Sequence, residues 1–432
     1  MTPPWTQDGF PPLAPRPFDP DLDEATFDYL GDTFRDHDLI GVEPVVRSSG
    51  VVLVNRPDEA WHVLGRNHAN YVKGIGVRKV RMLLGKGVIA VEGKAWRDRR
   101  RVLQPSFHQK AVARLADLMV SVNRRFVDKW CEQAEAGEPI DVSTDTARLT
   151  LEIMVQCLFG SDLPRLTEEG GDIPFSVLTD DLDRTLSTVH RLQADRQRLR
   201  ALIEERRGRA EPEPDLLGVL VAARDEETGE PLETKSILDE AVTLAVAGHE
   251  TSASALSWAW YLLSGHPEIE ARLHEEIDGF DDPGPGTASD LERMPFTRRV
   301  LDEVLRMYPP GWILTRRALE DDEVGGYRIP KGTHVVVSPY YLHRNPEYWD
   351  EPDRFDPDRF LEPPKHKRAY IPFGAGPRRC IGDVLGLFEM QFHLALVARR
   401  LKLSYLGKGH PTIEAKVNLR PKEQLMFRGE LR

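Results

Sequence analysis

The chain has 432 residues, of which 40% are hydrophobic and 30% are charged. This composition is typical of a globular protein and excludes the disordered and collagen-like classes. A formal net charge of -12 argues against a general nucleic-acid binder, because such a protein needs a basic surface to neutralise phosphates. Three cysteines cannot form a disulfide framework, so a cytoplasmic location is expected. The sequence has no signal-peptide pattern and no apolar run of about twenty residues, so we expect no membrane span.

The first predicted element is an extended N-terminal arm over residues 1–20, which are rich in proline and acidic residues. The run "VVLVN", Val51 to Asn55, has the β-branched content of a strand. Helical patterns dominate from about Asp58 onward, and one long amphipathic run ends at Gly160.

The longest predicted helix runs from Lys235 to Gly265, because this stretch has no proline and its middle is apolar nearly all round. Such a helix should cross the interior of the fold. The run "GGYRIPKGTHVVVSPYYLH" then predicts a hairpin of two strands joined through Pro330 to Gly332, and a helix with an apolar face follows Cys380. Without repeats or a long linker, the sequence predicts one mainly α domain with minor β over residues 1–432.

The segment "YIPFGAGPRRCIG" places Cys380 behind a glycine-rich turn. Zinc needs three or four ligands, and no other Cys or His lies within a few residues of this cysteine. A single thiolate can instead hold a haem iron, whose other four ligands come from the porphyrin. A helix that begins just after Cys380 would direct backbone N–H groups toward the sulfur and stabilise the thiolate. For an isolated cysteine, a buried structural thiol is the stronger alternative.

The residues around the cysteine change that balance. The positions that match the haem-binding signature of the cytochrome P450 family one for one are Phe373, Gly376, Arg378, Cys380 and Gly382. The chain resembles this family from about Asp58 to Leu425. The resemblance implies the cytochrome P450 fold, with the haem between the long central helix and the cysteine-bearing loop and helix. It also implies haem b (iron protoporphyrin IX), with Cys380 as the metal ligand. The other cofactor-binding residues expected in this segment are Phe373, Gly374, Arg378 and Gly382.

Three charged residues outside this segment fit the same family. Glu303 and Arg306 lie three residues apart on a predicted helix, where they can pair; an exposed pair of little energetic weight is the alternative. In the family, this Glu-x-x-Arg pairs with the arginine of a Phe-x-Pro-x-Arg-Phe segment, which is "FDPDRF" here and supplies Arg359. The resemblance implies that the three residues support the haem loop as a fully paired buried trio.

The motif "AGHETS", Ala247 to Ser252, lies in the middle of the long predicted helix. A zinc-protease HExxH motif is excluded, because Ala253 stands where its second histidine would be. In the family this segment flanks the haem iron. The resemblance therefore implies that Ala247 contacts the cofactor and that Glu250 and Thr251 relay protons. The alternative for Thr251 is a hydroxyl bonded back to its own helix.

Further cofactor contacts are implied by Trp96 and Arg100, which match the family's Trp-x-x-x-Arg contact to a haem propionate. Arg316 aligns with another propionate-binding arginine, and the neighbouring Arg317 stays an alternative. The expected substrate-lining residues are Val77, Met82, Leu83, Leu244, Trp312, Ile313 and Leu314. They are mainly apolar, so a lipophilic substrate is expected.

The implied activity is that of a soluble, bacterial-type cytochrome P450 monooxygenase that uses O2 to hydroxylate a terpenoid, carotenoid or fatty acid. No fused reductase sequence follows the haem-loop helix, so electrons are expected from a separate partner such as ferredoxin with ferredoxin reductase. Basic residues including Arg97, Arg99 and Arg101 are a candidate docking surface, with a solvated helix as the alternative. The family's lid helices correspond to the short segment from Gly160 to Asp215. The rival functions are a peroxide-using or hydroperoxide-rearranging haem-thiolate enzyme and a non-catalytic haem-binding sensor.

Overall fold

The computed structural model describes residues 3–167, 172–177, 186–225, 227–281 and 284–432. The Leu83 side chain and parts of the predicted lid segment lie outside the described residues. The α-helices are α1 Glu24–Phe34, α2 Pro57–Trp61, α3 Val77–Leu84, α4 Gly93–Leu103, α5 Gln109–Ala113, α6 Ala116–Ala136, α7 Val142–Phe159, α8 Leu163–Leu166, α9 Leu186–Arg207, α10 Leu216–Ala222, α11 Thr234–Gly265, α12 Pro267–Asp278, α13 Pro295–Met307, α14 Pro339–Leu342 and α15 Asp383–Arg400. The strands are β1 Leu39–Val42, β2 Val51–Val54, β3 Tyr71–Lys73, β4 Ile140–Asp141, β5 Leu314–Ala318, β6 Asp322–Val324, β7 Tyr327–Ile329, β8 His334–Val337, β9 Leu401–Tyr405, β10 Ile413–Ala415, β11 Leu419–Pro421 and β12 Met426–Leu431.

The chain divides into two compact units. The first, here called the cysteine unit, comprises Met1–Val80, Asp302–Cys380 and Thr412–Lys422. The second, here called the helical unit, comprises Arg81–Leu301, Ile381–Pro411 and Glu423–Arg432. The single domain over the whole chain stays a prediction.

The cysteine unit is built on a five-stranded sheet in the order β1-β2-β8-β5-β3. β2 confirms the strand predicted from "VVLVN"; it is buried along its length and pairs antiparallel with β1 and parallel with β8. The apolar core on this sheet includes Val52, Val54 and Leu64. The N-terminal arm lies along its edge, where the Ala14 N–H donates to the Gly41 carbonyl at 2.8 Å.

The predicted hairpin is wrong in its pairing. Both strands exist, as β7 and β8, but β7 pairs antiparallel with β6, whereas β8 joins β2 and β5 in the large sheet. Gly325 and Gly326 close the true hairpin, and their φ values of +59° and +82° lie in the left-handed region that glycine adopts without strain. Pro330 to Gly332 therefore connects strands of two different sheets.

The helical unit is organised around α11, which has 32 residues and confirms the long helix predicted from Lys235 to Gly265. Trp258 and Trp260 of this helix are fully buried. Helix α7 packs along α11 so closely that a Cβ on Gly248 would lie 2.5 Å from the Met154 sulfur. Helices α9 and α15 also contact α11. Neighbours on several sides explain why the middle of its sequence is apolar nearly all round.

Candidate active site

Cys380 lies in an exposed loop of the cysteine unit. Its backbone N–H donates to the Phe373 carbonyl at 2.9 Å, so the segment folds back on itself. A 3-10 turn, Gly376–Arg378, immediately precedes the cysteine region. Helix α15 begins three residues after the cysteine, at Asp383, which confirms the predicted helix. Arg378 and Phe373 are half-buried.

Two glycines shape this loop, one through its backbone conformation alone and the other also through the lack of space around it. Gly374 and Gly376 have φ values of +72° and +70°, which residues with a Cβ resist. A Cβ on Gly376 would also lie 2.0 Å from the Leu64 backbone oxygen, because the loop packs directly on the π-helical turn His62–Arg66. At Gly374 the nearest atom, on Leu314, would be 3.8 Å away. Gly376 is therefore required by conformation and by space, and Gly374 by conformation alone.

Glu303, Arg306 and Arg359 lie together inside the cysteine unit. The Nε and Nη2 atoms of Arg306 donate to the two carboxylate oxygens of Glu303 at 2.6 and 2.9 Å, and both side chains are fully buried. Arg359 Nε donates to Glu303 Oε1 at 3.2 Å, and the Asp356 backbone N–H donates to the same oxygen at 3.0 Å. This full pairing is the condition under which buried charges are tolerated.

A histidine that the sequence patterns did not single out connects this trio to the cysteine loop. Arg306 Nη1 donates to the His343 carbonyl at 2.8 Å, and the His343 ring accepts the Ile371 N–H at Nε2, 2.9 Å away. Burial lowers the pKa of His343 to about 3, so the ring is neutral and donates from Nδ1 to the Arg306 carbonyl at 3.1 Å. The Ile371 carbonyl in turn accepts the Gly374 N–H at 2.9 Å. The run "YLHRN" gives no signal of this role, because the ring's partners are distant in the chain.

Of the two candidate arginines on β5, Arg316 is buried and Arg317 is exposed. Successive side chains of a strand point to opposite faces, so only one of the pair can be interior. Arg316 Nη1 donates to the Thr315 carbonyl at 2.9 Å. Arg316 is therefore the candidate for an interior cofactor contact.

The predicted substrate-lining residues differ in exposure. In the cysteine unit, Val77 is half-buried, Ile313 is buried, and Leu314 is half-buried beside the cysteine loop. In the helical unit, Leu244 is 5% exposed, whereas Met82 is 81% exposed and presents its side chain to solvent.

Trp312, another predicted substrate-lining residue, is buried in the cysteine unit. Its side chain is fully buried, and its indole Nε1 donates to the Lys416 carbonyl at 2.9 Å. Its ring meets Phe27 edge-on, with 5.5 Å between the ring centroids. These contacts fix the ring inside the unit, and a substrate contact by Trp312 stays a prediction.

In the helical unit, Ala247, Glu250 and Thr251 are half-buried on α11. The Thr251 hydroxyl donates to the Ala247 carbonyl at 3.0 Å, which is the bond within its own helix that was the alternative interpretation. This bond occupies the hydroxyl proton and leaves the oxygen lone pairs free to accept another donor. Proton relay by Glu250 and Thr251 stays a prediction.

Other predicted contacts of the helical unit lie on α4 and at the start of α15. Trp96 and Arg100 are half-buried four residues apart on α4, and Arg100 Nε donates to Gln104 Oε1 at 2.5 Å. Gly382 precedes α15 with a φ of −95°. A Cβ on Gly382 would lie 3.9 Å from Phe107, so neither strain nor crowding requires glycine there.

The predicted docking surface loses one member. Arg99 is 12% exposed and donates to the fully buried Glu240 at 2.8 Å, so its charge is committed inside the helical unit. This corrects its inclusion among surface cations. Arg97 and Arg101 are exposed on the same helix.

A second residue that the sequence patterns missed is Glu389 on α15. It is fully buried and shares a hydrogen bond with Ser252 of α11, and burial raises its pKa to about 8. The carboxyl is therefore mostly protonated at neutral pH. Burial, with the nearby Glu389 charge, also raises the pKa of Cys157 to about 12. A signal did exist, because an acidic residue stands alone in the apolar run "GLFEMQFHLALVA".

The donor set fits a haem. All three cysteines are described; Cys131 and Cys157 are buried, and Cys380 is exposed. No cluster of three or more His, Cys, Asp or Glu that could hold a metal occurs among the described residues. One exposed thiol suits a metal that brings its other ligands with it, as haem iron does. The glycine conformations and the paired trio hold that thiol on a defined loop. In the part of the chain that the structure describes, no helix is long and apolar enough to cross a membrane.

Comparisons with known proteins agree with this donor set. The family model "Cytochrome P450" matches residues 44–427. Cyclooctatin synthase of Streptomyces melanosporofaciens is 35% identical over 396 residues, covering 87% of this chain and 84% of that protein. Cyclooctat-9-en-7-ol 5-monooxygenase of the same organism is 33% identical over 381 residues, covering 84% and 82%. The crystal structure of the cytochrome P450DA heme domain has a TM-score of 0.81 at 26% identity and covers 98% of each chain.

The fold is mainly helical with small sheets, and the exposed Cys380 thiol is the candidate iron ligand. The chain belongs to the cytochrome P450 family, and it is a P450 monooxygenase with a haem-iron cofactor. This confirms the resemblance carried by the cysteine segment. The placement of the haem between the long helix and the cysteine loop stays a prediction.

Proposed function

We propose that this chain uses haem b and O2 to hydroxylate a lipophilic, terpenoid-like molecule in the cytoplasm, with electrons from a ferredoxin and its reductase. The observation that carries the proposal is the exposed Cys380 thiol on a loop braced by the fully buried pair of Glu303 and Arg306 with the half-buried Arg359. A thiolate-ligated haem, when bound, supplies activation of O2 for insertion into a C–H bond. The low cysteine count supports a reducing compartment.

The residues proposed to hold the cofactor lie on the cysteine loop, on α4, on α11, on β5 and at the start of α15. They are Cys380, as metal ligand, with Phe373, Gly374, Gly382, Ala247, Trp96, Arg100, Arg316 and Arg378. The arginines and Trp96 would bind the haem propionates, because planar guanidinium groups pair with carboxylates. Arg316 is favoured over Arg317 by its burial.

Thr251 and Glu250 are proposed to move protons. The Thr251 oxygen keeps acceptor capacity while its proton binds the Ala247 carbonyl, so it can hold a water or another donor in place. Glu250 lies beside it in the chain and can exchange a proton with solvent because it is half-buried. An intact acid and threonine pair supports a monooxygenase over a peroxide-using enzyme or a sensor, for which the relay would have no use.

The substrate class is proposed from two supports. Val77, Leu244, Ile313 and Leu314 are apolar, which favours a lipophilic molecule. One relative whose name specifies its substrate acts on cyclooctat-9-en-7-ol, by its name an unsaturated cyclic alcohol. A cyclic terpenoid is therefore favoured over a fatty acid.

The test has three readouts on the haem-loaded protein. Reduction under carbon monoxide should give a band near 450 nm, the mark of thiolate ligation, and Cys380→Ser should abolish it. A band near 420 nm in folded wild type would contradict the proposal. Cyclic terpenoids should shift the haem from low to high spin, whereas fatty acids of matched size should not. Turnover with ferredoxin and its reductase, and none with peroxide, would separate the monooxygenase from its rival.

A further inference from the structure

Two adjacent acidic residues of α11, Asp239 and Glu240, bind the backbone of one loop. The loop, residues 85–88, is here called the glycine segment because it contains Gly85 and Gly87. Asp239 Oδ2 accepts the Lys86 N–H at 2.9 Å, and Glu240 Oε1 accepts the Val88 N–H at 2.9 Å. The two acidic side chains are buried, with 4% and 0% of the residue exposed. Burial of two neighbouring carboxylates requires partners for their remaining oxygens.

Those partners come from two other helices. Arg99 of α4 donates to Glu240 Oε2 at 2.8 Å, and Arg196 of α9 donates to Asp239 Oδ1 at 3.2 Å. Each carboxylate therefore has one oxygen on the glycine segment and the other on an arginine. The arrangement joins α4, α9 and the glycine segment to the same turn of α11.

The glycines allow this close attachment. Gly85 has a φ of +82°, and its Cβ would lie 2.3 Å from Asp239 Oδ1. A Cβ on Gly87 would lie 2.1 Å from the Thr243 Oγ1. The Thr243 hydroxyl is buried and has no hydrogen-bond partner among the described residues. The contact at Gly87 is therefore steric, and any side chain there would push the segment away from the helix.

The glycine segment contacts α11 beside residues that have expected substrate and cofactor roles. The segment follows α3, which carries Met82, and it precedes α4, which carries Trp96. It meets α11 at Thr243, next to Leu244 and one turn before Ala247. The segment thus borders residues that are expected to contact substrate and cofactor, and its attachment depends on a few carboxylate bonds.

We propose that Asp239 and Glu240 are positioning residues that hold the glycine segment closed on α11 and so control how fast bulky lipophilic molecules reach the haem. The inference rests on the proposed function. Because Asp239 also binds Arg196, a movement of α9 and a release of the segment are coupled through one carboxylate. Neither acid touches the reacting atoms, so their loss changes entry and leaves haem ligation intact.

The first test is amide hydrogen exchange on the haem-loaded protein. In Asp239→Asn the Lys86 amide should exchange about tenfold faster, and in Glu240→Gln the Val88 amide should do so. Glu233→Gln is the matched control, because Glu233 is exposed at the start of the same helix. It removes the same charge, and it should leave both amides unchanged. Exchange within about twofold of wild type in both acid variants would overturn the inference.

The second test is stopped-flow binding of two azoles that ligate haem iron, the small imidazole and the bulky econazole. The econazole association rate should rise about tenfold in Asp239→Asn and Glu240→Gln, and the imidazole rate should not change. Gly87→Ala should show the same selectivity without any change of charge. Thr243→Ala on that background should restore part of the slow entry, because it removes the closest atom.

The outcomes separate this inference from the proposed function. Absence of the band near 450 nm in wild type overturns the proposed function. If every variant keeps the normal band and the econazole rates do not change, the role of Asp239 and Glu240 is overturned and the proposed function is not. If Asp239→Asn or Glu240→Gln fails to fold, as judged by circular dichroism, Gly87→Ala is the variant that tests the inference. Gly87 does not have a positive φ, so its replacement by alanine does not strain the backbone.

Discussion

Glu303 and Glu240 are buried carboxylates that each hold a loop, and they do so with different numbers of partners. Glu303 of the cysteine unit binds two arginines and the Asp356 N–H. Glu240 of the helical unit binds one arginine and the Val88 N–H, and burial raises its pKa. A fully paired carboxylate makes a rigid brace for the cysteine loop. A carboxylate with fewer partners makes an attachment that can open.

The largest expected effect is on stability. Glu303→Gln should lower the free energy of unfolding by about 3–5 kcal/mol, because it leaves the buried Arg306 charge without its partner. Glu240→Gln should cost about 1–3 kcal/mol, since Arg99 keeps some access to water. Denaturant unfolding measures both. Glu320→Gln is the control, because its pair with Lys331 is exposed, and it should have no measurable effect. Equal costs for Glu303→Gln and Glu240→Gln would break the comparison.

Smaller losses of stability are expected when glycines of the cysteine loop and of the glycine segment are replaced by alanine. Gly376→Ala should cost more than about 2 kcal/mol and weaken the 450 nm band, because positive φ and the Leu64 carbonyl both resist a Cβ. Gly374→Ala, with the same φ but open space, should cost about 1–2 kcal/mol. Gly87→Ala should cost about 1–2 kcal/mol, because Gly87 has no positive φ, although the added carbon would crowd Thr243 and the Asp239 carbonyl. Denaturant unfolding ranks the three, and a smaller cost at Gly376 than at Gly87 would contradict the ranking.

The smallest effect is on the pH dependence of stability, and its sign differs between the regions. Folding lowers the pKa of His343 to about 3, so below about pH 6.5 the unfolded chain binds a proton that the folded chain does not. Stability therefore falls as the pH is lowered from about 6.5 toward 3. Folding raises the pKa of Glu240, so the unfolded chain loses this proton at a lower pH than the folded chain does. The free energy of unfolding therefore falls as the pH rises above the ordinary pKa of a glutamate. His343→Gln and Glu240→Gln should each remove their own slope in denaturant unfolding at several pH values. Slopes of the same sign would refute this assignment.

Much of the fold could be predicted from the sequence because its signals are local. The long helix from Thr234 to Gly265 follows from an uninterrupted apolar run, and the helix after Cys380 follows from its amphipathic pattern. The hairpin prediction was wrong because strand pairing depends on partners far along the chain. The Gly325-Gly326 turn was the better signal, since both residues need positive φ.

The residues of the candidate site also divide into those that local sequence patterns indicate and those that depend on distant contacts. The exposed thiol of Cys380 and the pairing of Glu303 with Arg306 depend on spacings of a few residues, which the sequence displays. His343 was missed because its ring binds Ile371, 28 residues away.

The sequence by itself therefore determined the family, the candidate thiol donor and the main helices, since periodicity, glycine conformation and motif spacing act over short distances. The tertiary structure alone decided which arginine of β5 is interior, which carboxylate is fully paired and which loop Asp239 and Glu240 hold. The Lys86 and Val88 amides lie more than 150 residues from the acids that bind them. Such contacts exist only once the chain has folded, because burial there forces each polar group to find a partner.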